Sequence, residues 1–184
     1  AAEIITEIPV REGLIYNVFA GGYGYSDPDT HQRIVEQFRG TPYEDYVGWS
    51  KRPVDDIARF VRECGEGIEN IWILADSGAE RDRVHEEILH LCGSFDIRTV
   101  CTTPVDVEVG GQAADKGLAM RELADMLHIA KEEIMAVGDS GNDLGFMSAA
   151  GLPVAMKNAE KKIRDLSVWV TDDNEHDGVA AAIQ

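Results

Sequence analysis

The amino-acid sequence predicts an α/β protein in two parts, an α+β part over residues 1–110 and a parallel-sheet part over residues 111–184. The second part supports this most clearly, because short and nearly uninterrupted apolar stretches alternate there with segments of helical spacing. This rhythm is typical of parallel strands whose sheet is covered by helices on both faces. The first part instead carries a hairpin signal and a strand-like stretch that alternates apolar and acidic residues. Gly110-Gly111-Gln112 lies between the parts and is the predicted hinge.

The elements of both parts are predicted from the period of their apolar residues. Leu14 to Ala20 is rich in aromatic and branched residues, which favours a strand, and Gly21-Gly22 after it favours a hairpin turn. Further helices of the first part are predicted at 28–38, 53–63 and 80–91, and further strands at 71–75, 97–101 and 105–109. In the second part, helices are predicted at 118–127, 144–149, 159–166 and 178–183, and strands at 134–137, 152–156 and 168–171.

Charge and composition restrict the partners that we expect. The formal charge is −17, from 34 acidic against 17 basic residues, so the average surface repels nucleic acid and anionic lipid, and neither is an expected partner. An anionic substrate would need a local cation, either a divalent metal ion or a lysine. The three cysteines, Cys64, Cys92 and Cys101, are predicted to be buried free thiols. No membrane-spanning stretch or leader pattern is present in these residues, so we expect a cytoplasmic location.

The loop Gly138-Asp139-Ser140-Gly141-Asn142-Asp143 follows a predicted strand and carries the strongest chemical signal. Ligands of open α/β sheets bind beyond the carboxyl ends of the strands, and Asp139 is the first side chain free to leave the strand there. Its carboxylate is a suitable ligand for Mg²⁺. The alternative interpretation is an ordinary strand-to-helix turn in which the polar side chains only cap the next helix.

Lys116 is the second candidate, because it opens the helix that leads back to this strand. The helix dipole slightly disfavours a cation at a helix N-terminus, so an anionic group nearby would help to explain the lysine. A lone lysine otherwise usually faces solvent.

These motifs resemble the haloacid dehalogenase-like superfamily, and within it the Cof-type phosphatases, whose cap domain lies between the second and third catalytic motifs. In that family a helix opens with Lys-Gly, a strand follows, and then Gly-Asp-Ser-x-Asn-Asp; here these are Lys116-Gly117, residues 134–137 and residues 138–143. The resemblance continues in the expected order through Met147, 150–151, 154–156, 158–159 and 177–179. The match is dense over residues 115–184. It is loose over residues 1–112, as we expect if these residues form a cap domain.

The resemblance implies a fold, a reaction and a role for each site residue. The chain would form the C-terminal half of a Rossmann-like core, over 111–184, and an α+β cap domain, over 1–110. The activity implied is Mg²⁺-dependent hydrolysis of a small phosphorylated metabolite. Asp139 would ligate the metal ion, and Lys116 would bind the phosphoryl group and offset charge on the nucleophile. Asn142 would assist at the phosphate, and Asp143 would orient Lys116 or a metal-bound water.

The sequence departs from the family in one major respect. The family begins with Asp-x-Asp-Gly, whose first Asp is the nucleophile, and then a Ser or Thr motif; neither motif stands in these 184 residues. Asp27-Pro28-Asp29-Thr30 has the carboxylate spacing but no preceding parallel strand, and we interpret it as a turn that caps the next helix. We therefore expect the chain to start inside its protein, at or just before the cap domain, to hold the metal weakly, and to be inactive alone. An exposed edge of the half-core could then support self-association.

Two other classes of function stay open. The chain could be a non-catalytic binding or assembly module derived from such a phosphatase, or, less in keeping with the order of Lys116 and Asp139, a receiver-like switch protein. His128 and His176 are expected on the surface, and the acidic residues 172, 173 and 175 in a solvated loop. Most of the aromatic residues of the first part are expected in its core, with a minority facing a cleft: Tyr16, Phe19, Tyr23, Tyr25, Trp49 and Trp72.

Overall fold

The computed structural model describes residues 1–184 and divides into two compact units, Ala1–Gln112 and Ala113–Gln184. Both units mix helices and strands, and the predicted α/β class is confirmed. The division lies two residues beyond the predicted boundary, because the last strand of the first unit continues to Gly111.

The first unit contains five α-helices and six strands. In chain order these are α1 (Ala2–Glu12), β1 (Ile15–Ala20), β2 (Tyr23–Ser26), α2 (Pro28–Phe38), α3 (Glu44–Ser50), β3 (Lys51–Pro53), α4 (Ile57–Cys64), β4 (Ile68–Leu74), α5 (Gly78–Cys92), β5 (Ile97–Val100) and β6 (Asp106–Gly111).

The six strands form one sheet in the order β3-β2-β1-β4-β6-β5. All neighbours are antiparallel except β2 and β3. The predicted hairpin joins β1 and β2 through Gly21 and Gly22, whose φ angles are +56° and +78°. Positive φ at both central residues gives a turn that matches the twist of the strands, and glycine adopts it without steric cost.

The two faces of this sheet differ in chemistry. Side chains alternate along a strand, so Tyr16 and Val18 of β1 and Ile71 and Ile73 of β4 point to one face, where they form a buried core with apolar residues of α1, α4 and α5. The intervening side chains, which include Asn17 and Trp72, lie on the opposite face. The first face is the hydrophobic core of the unit.

Three elements of this unit were not predicted, and one helix starts later than expected. Helix α1 contains Pro9 and has no side-chain cap, and α3 and β3 are only seven and three residues long. Such elements give weak local signals, and tertiary packing stabilises them. Helix α4 begins at Ile57, four residues after the predicted start, because Asp56 caps it by accepting a hydrogen bond from the Arg59 amide.

The second unit has four α-helices and three strands, in the predicted order. They are α6 (Lys116–Leu127), β7 (Met135–Gly138), α7 (Leu144–Ala149), β8 (Leu152–Ala155), α8 (Lys161–Leu166), β9 (Trp169–Val170) and α9 (Gly178–Ile183). The strands form a parallel sheet in the order β7-β8-β9. Its core gathers around Ala136, Met147, Ala155 and Ile163, each of which is fully buried.

The second unit also exposes apolar surface. Strand β7 pairs with β8 on one side only, which leaves an edge of the sheet without a partner strand. Helix α6 exposes Leu123, Met126 and Leu127 by 55%, 78% and 57%. No helix of either unit combines the length and the apolar character needed to cross a bilayer.

Candidate functional site

The loop after β7 is a tight turn at the carboxyl end of the strand. Residues Gly141–Asp143 form one turn of 3₁₀ helix, and α7 starts directly after it at Leu144. The turn brings Asp143 back against the end of the strand, so close that a Cβ on Gly138 would lie 2.8 Å from the Cβ of Asp143. Only glycine at position 138 leaves room for this return.

Asp143 holds the loop together through its carboxylate. Oδ2 accepts hydrogen bonds from the backbone amides of Asp139 and Ser140, at 3.0 and 3.3 Å. Oδ1 accepts a hydrogen bond from Lys116 Nζ at 2.6 Å. Burial opposes ionisation of this carboxyl, but the lysine and the two amides outweigh it and hold the pKa of Asp143 below its ordinary value. Asp143 is therefore a buried anion that fixes both the loop and the lysine.

Lys116 reaches the loop because two helices approach closely. Asp115 caps α6 by accepting hydrogen bonds from the amides of Gly117 and Leu118. A Cβ on Gly117 would lie 2.5 Å from the carbonyl oxygen of Gly145, so glycine permits α6 and α7 to touch along their backbones. The Lys116 side chain pairs with Asp143 and stays 56% exposed, which leaves its ammonium group accessible to an anionic ligand.

Asp139 and Asn142 lie on the same loop as Asp143. The Asp139 carbonyl oxygen accepts a hydrogen bond from the Glu160 amide, which fixes the backbone of Asp139, and its side chain is exposed. Asn142 accepts a hydrogen bond from Ser140 Oγ at 2.8 Å. The structure thus brings the four predicted residues, 116, 139, 142 and 143, to one end of β7.

Two residues that no sequence motif indicated, Glu160 and Lys162, also meet this loop. Glu160 accepts a hydrogen bond from the Gly141 amide at 3.1 Å and pairs with Lys162 Nζ at 2.8 Å. The hydrogen bond from Lys162 is the main cause that lowers the pKa of Glu160. A Cβ on Gly141 would lie 2.5 Å from Lys162 Nζ, so this lysine places a second positive charge over the loop. The sequence signal was their position at the start of the helix that follows β8, a second strand of the same parallel sheet.

The residues of the loop fit a hard cation only in part. Asp139 offers an exposed carboxylate, whereas the carboxylate of Asp143 is already engaged by Lys116 and two amides. No group of three or more His, Cys, Asp or Glu side chains is arranged to hold a metal ion. Mg²⁺ keeps several waters and binds through one or two carboxylates together with substrate phosphate, and a single protein ligand such as Asp139 is compatible with that chemistry.

Asp27, His128 and His176 lie as the sequence predicted, outside the loop of Asp139 and Asp143. Asp27 caps α2 by accepting a hydrogen bond from the Thr30 amide, and its other oxygen accepts one from the Tyr16 hydroxyl, so its interpretation as a helix cap is confirmed. His128 and His176 are both exposed, as expected. The cysteines form no disulfide, and of the three only Cys92 is fully buried.

The prediction that most aromatic residues of the first unit form its core was wrong. Tyr16 is fully buried, and Tyr25 packs against the core. Trp49 is 61% exposed, because it lies on the short helix α3, which buries only Val47 and Ser50. Phe19 and Trp72 point to the sheet face away from the core and line a cavity there.

The fold and the site define an α/β protein with a lysine–aspartate pair and an exposed carboxylate at the carboxyl end of a parallel strand. The model of the haloacid dehalogenase-like hydrolase family matches residues 16–183, and the chain belongs to this family.

Relatives and solved structures agree with this membership. The chain is 34% identical over 125 residues to the 5-amino-6-(5-phospho-D-ribitylamino)uracil phosphatase YcsE of Bacillus subtilis, a match of 65% of the chain and 50% of that protein. It is 33% identical over 104 residues to a phosphoglycolate phosphatase of Methanothermobacter thermautotrophicus, a match of 56% and 47%. The crystal structure of TM0651 from Thermotoga maritima superposes with a TM-score of 0.75 at 25% identity, over 99% of the chain and 64% of that structure. The matches thus span about half the length of both relatives.

Proposed function

We propose that this chain is the cap domain and the C-terminal half of the core of a Mg²⁺-dependent phosphatase that acts on small phosphorylated metabolites. The observation that carries the proposal is the Lys116–Asp143 pair, 2.6 Å long, beside the exposed carboxylate of Asp139. In this proposal residues 1–110 form the cap domain and residues 111–184 the partial core.

Each side chain of the loop has a role that follows from its contacts. Lys116 is held by Asp143 yet half exposed, so its ammonium can bind the oxygens of a phosphoryl group and offset the charge of the attacking carboxylate. Asp143 positions Lys116 and the amides of the loop. Asn142 presents an amide group beside the phosphate, and Asp139 supplies a carboxylate ligand to Mg²⁺.

Electrostatic stabilisation is the main contribution of these residues to the reaction. Phosphoryl transfer needs a nucleophile, and otherwise depends largely on placing positive charge on the equatorial oxygens. The bound metal ion would supply part of that charge. Lys116, with Lys162 near the same loop, would supply the rest against the protein's net charge of −17.

The nucleophile lies outside these 184 residues in our proposal. In the expected mechanism an aspartate outside these residues attacks phosphorus, the ester P–O bond breaks, and the leaving oxygen takes a proton from a general acid to give an alcohol. Water then hydrolyses the phosphoaspartate, which releases phosphate and restores the aspartate. No Asp-x-Asp-Gly stands in the sequence, and Asp27 is engaged as a helix cap. We therefore propose that this chain alone does not turn over phosphate esters, and that the whole protein does so in the cytoplasm.

Relatives favour a small organic substrate. The two relatives described above are phosphatases named for a phosphorylated ribitylaminouracil and for phosphoglycolate, which share a phosphate ester on a small molecule. A small phosphorylated metabolite is accordingly the proposed substrate class.

The test is Mg²⁺-dependent hydrolysis of p-nitrophenyl phosphate by the native gene product and by the 184-residue chain. We expect activity in the native product and a loss of about 100-fold or more in its Lys116→Ala variant, because one preorganised cationic contact is removed from the transition state. Lys161→Ala is the matched control, since Lys161 is 81% exposed and pairs with Asp165 on α8.

The outcome separates two classes of function. Equal activity of Lys116→Ala and the unsubstituted native product would contradict the role of the lysine. No hydrolysis by the native product, with the fold intact, would favour a non-catalytic binding or assembly module, which the sequence without a nucleophile motif also allows.

A further inference from the structure

The sheet face of the first unit that points away from the core holds a cavity of about 330 Å³. Strands β1, β4 and β6 form its floor, and helices α2 and α3 form its wall through residues that include Ile34 and Val47. Every residue that lines it belongs to the first unit. The loop of Lys116 and Asp139 contributes no residue to its lining.

The floor is a small grid of polar and aromatic side chains. Asn17, Trp72 and Glu108 lie side by side across three neighbouring strands, and Phe19 and Asn70 form the next row. Because side chains alternate along each strand, all five project from the same face. A sheet face with amides and a carboxylate between aromatic rings is unusual for a surface that only packs against helices.

Two acceptors on this floor have no partner. Asn17 is 1% exposed, and its Oδ1 is buried without a hydrogen bond. Asn70 Oδ1 is in the same state, while Asn70 Nδ2 donates a long hydrogen bond of 3.5 Å to Glu108 Oε2. Buried polar atoms in native proteins are nearly always paired, so unpaired acceptors in a cavity indicate a ligand that brings donors.

The half-buried cation of Lys51 also lines the cavity. Lys51 Nζ lies 4.2 Å from the centroid of the Phe19 ring, and burial lowers the pKa of Lys51. A Cβ on Gly24 would lie 2.8 Å from Asn17 Oδ1 and 2.9 Å from Lys51 Cδ. Glycine at position 24 therefore leaves the space in which the lysine and the amide stand together.

The wall restricts the shape of the ligand. Tyr43 and Tyr46 are 62% and 48% exposed, and Phe38 also lines the wall, with its ring edge-on to that of Tyr43 at 6.4 Å between centroids. Flat aromatic surfaces favour a flat ring whose faces can stack on them. A polyol would bring hydroxyl groups to every side and leave several of them against apolar walls without partners.

We infer that this cavity binds a planar nitrogen heterocycle that carries N–H donors and a carbonyl oxygen on its edge. The donors would satisfy the unpaired oxygens of Asn17 and Asn70 beside the carboxylate of Glu108, and the carbonyl oxygen would accept a hydrogen bond from Lys51. This binding needs neither Lys116 nor any hydrolysis, so it goes beyond the proposed function and stands or fails separately from it.

The experiment is an NMR titration of the 184-residue chain with three probes. Uracil has the proposed edge; 1,3-dimethyluracil keeps the ring and both carbonyl groups but has no N–H donor; ribitol is the polyol. We expect uracil to shift the side-chain amide signals of Asn17 and Asn70, with dimethyluracil binding at least about tenfold more weakly and ribitol not binding.

Variants locate the binding within the cavity. Glu108→Gln, which weakens one acceptor, should reduce uracil affinity about tenfold, and Tyr46→Ala should reduce it by removing a stacking surface. Glu66→Gln, which changes an exposed acidic side chain outside the cavity, should leave affinity unchanged. The backbone amide spectrum of each variant checks that it is folded.

Three results would overturn the inference. One is no shift of the two amides with uracil at about 10 mM. Another is equal affinity for uracil and dimethyluracil, which would show that no N–H donor is recognised. The third is tighter binding of ribitol, which would make the cavity a polyol site.

Discussion

Replacing Asp143 with asparagine tests whether a buried charge organises the loop after β7. The substitution keeps the size of the side chain and one acceptor oxygen, which can still serve the amides of Asp139 and Ser140. It places an NH₂ group against Lys116 Nζ, which is 2.6 Å from the carboxylate in the native protein. The lysine, already 56% exposed, should turn into solvent.

The expected loss of stability follows from these contacts. A partly exposed ion pair contributes about 0.5–1 kcal/mol to the free energy of unfolding. Two hydrogen bonds from backbone amides weaken by a further total of about 0.5–1 kcal/mol when their acceptor becomes neutral. We therefore expect Asp143→Asn to cost about 1–2 kcal/mol at pH 7, and Asp143→Ala, which also removes the acceptor, about 2–3 kcal/mol.

The loss of stability in Asp143→Asn should also depend on pH. The native pKa of Asp143 lies below its ordinary value of 3.8, so the stabilisation by the carboxylate is fully present above that value. It is lost as the pH falls from there through the lowered native pKa. The difference between the native chain and Asp143→Asn should therefore be constant near neutral pH and shrink in acid.

Urea unfolding followed by Trp169 fluorescence provides the measurement. Trp169 is the one tryptophan of the second unit, and the assay would use a background in which Trp49 and Trp72 are phenylalanine. Lys116→Met, which removes the ion pair alone, should cost about 0.5–1 kcal/mol. Asp143→Asn with native stability at pH 7, or with a loss that does not change in acid, would refute the account.

Three further predictions concern the packing of each unit. Gly117→Ala should lower the free energy of unfolding by about 2 kcal/mol or more, since its Cβ would lie 2.5 Å from the carbonyl oxygen of Gly145; thermal unfolding measures this. Tyr16→Phe should cost about 1 kcal/mol in urea unfolding, because the buried hydroxyl donates to Asp27 at 2.9 Å. The chain should self-associate at high concentration through the exposed apolar surface of its second unit, and Met126→Lys should reduce the association seen by light scattering.

Matched controls accompany these predictions. Gly48→Ala should be neutral or stabilising by about 0.5–1 kcal/mol, because this helical glycine has open space around it. Tyr23→Phe should change stability little, since Tyr23 is only half-buried and Arg52 stacks on its ring, which phenylalanine keeps. A monomer at every concentration would contradict the self-association. Equal effects of Gly117→Ala and Gly48→Ala would contradict the close contact of α6 and α7.

The sequence predicted well those parts of the fold that have strong local signals. The hairpin at Gly21-Gly22 and the order of elements in the second unit follow from turn chemistry and apolar period, and both are confirmed. Helix α1 and the short α3 and β3 were missed, because their stability comes from packing against the sheet. The family also followed from sequence, since Lys116-Gly117 and the loop 138–143 stand in a recognisable order.

The sequence alone determined which residue types are present and their order along the chain: a lysine at the start of a helix and four polar side chains on a loop after an apolar strand. Only the tertiary structure decided that Lys116 meets Asp143, that Glu160 and Lys162 join the same loop, and that Asn17, Asn70 and Lys51 share one cavity. The physical reason is that local preferences depend on neighbours in the chain. The contacts of Lys116 with Asp143 and of Gly141 with Glu160 join residues 27 and 19 positions apart, and they form only after the sheets and helices have packed.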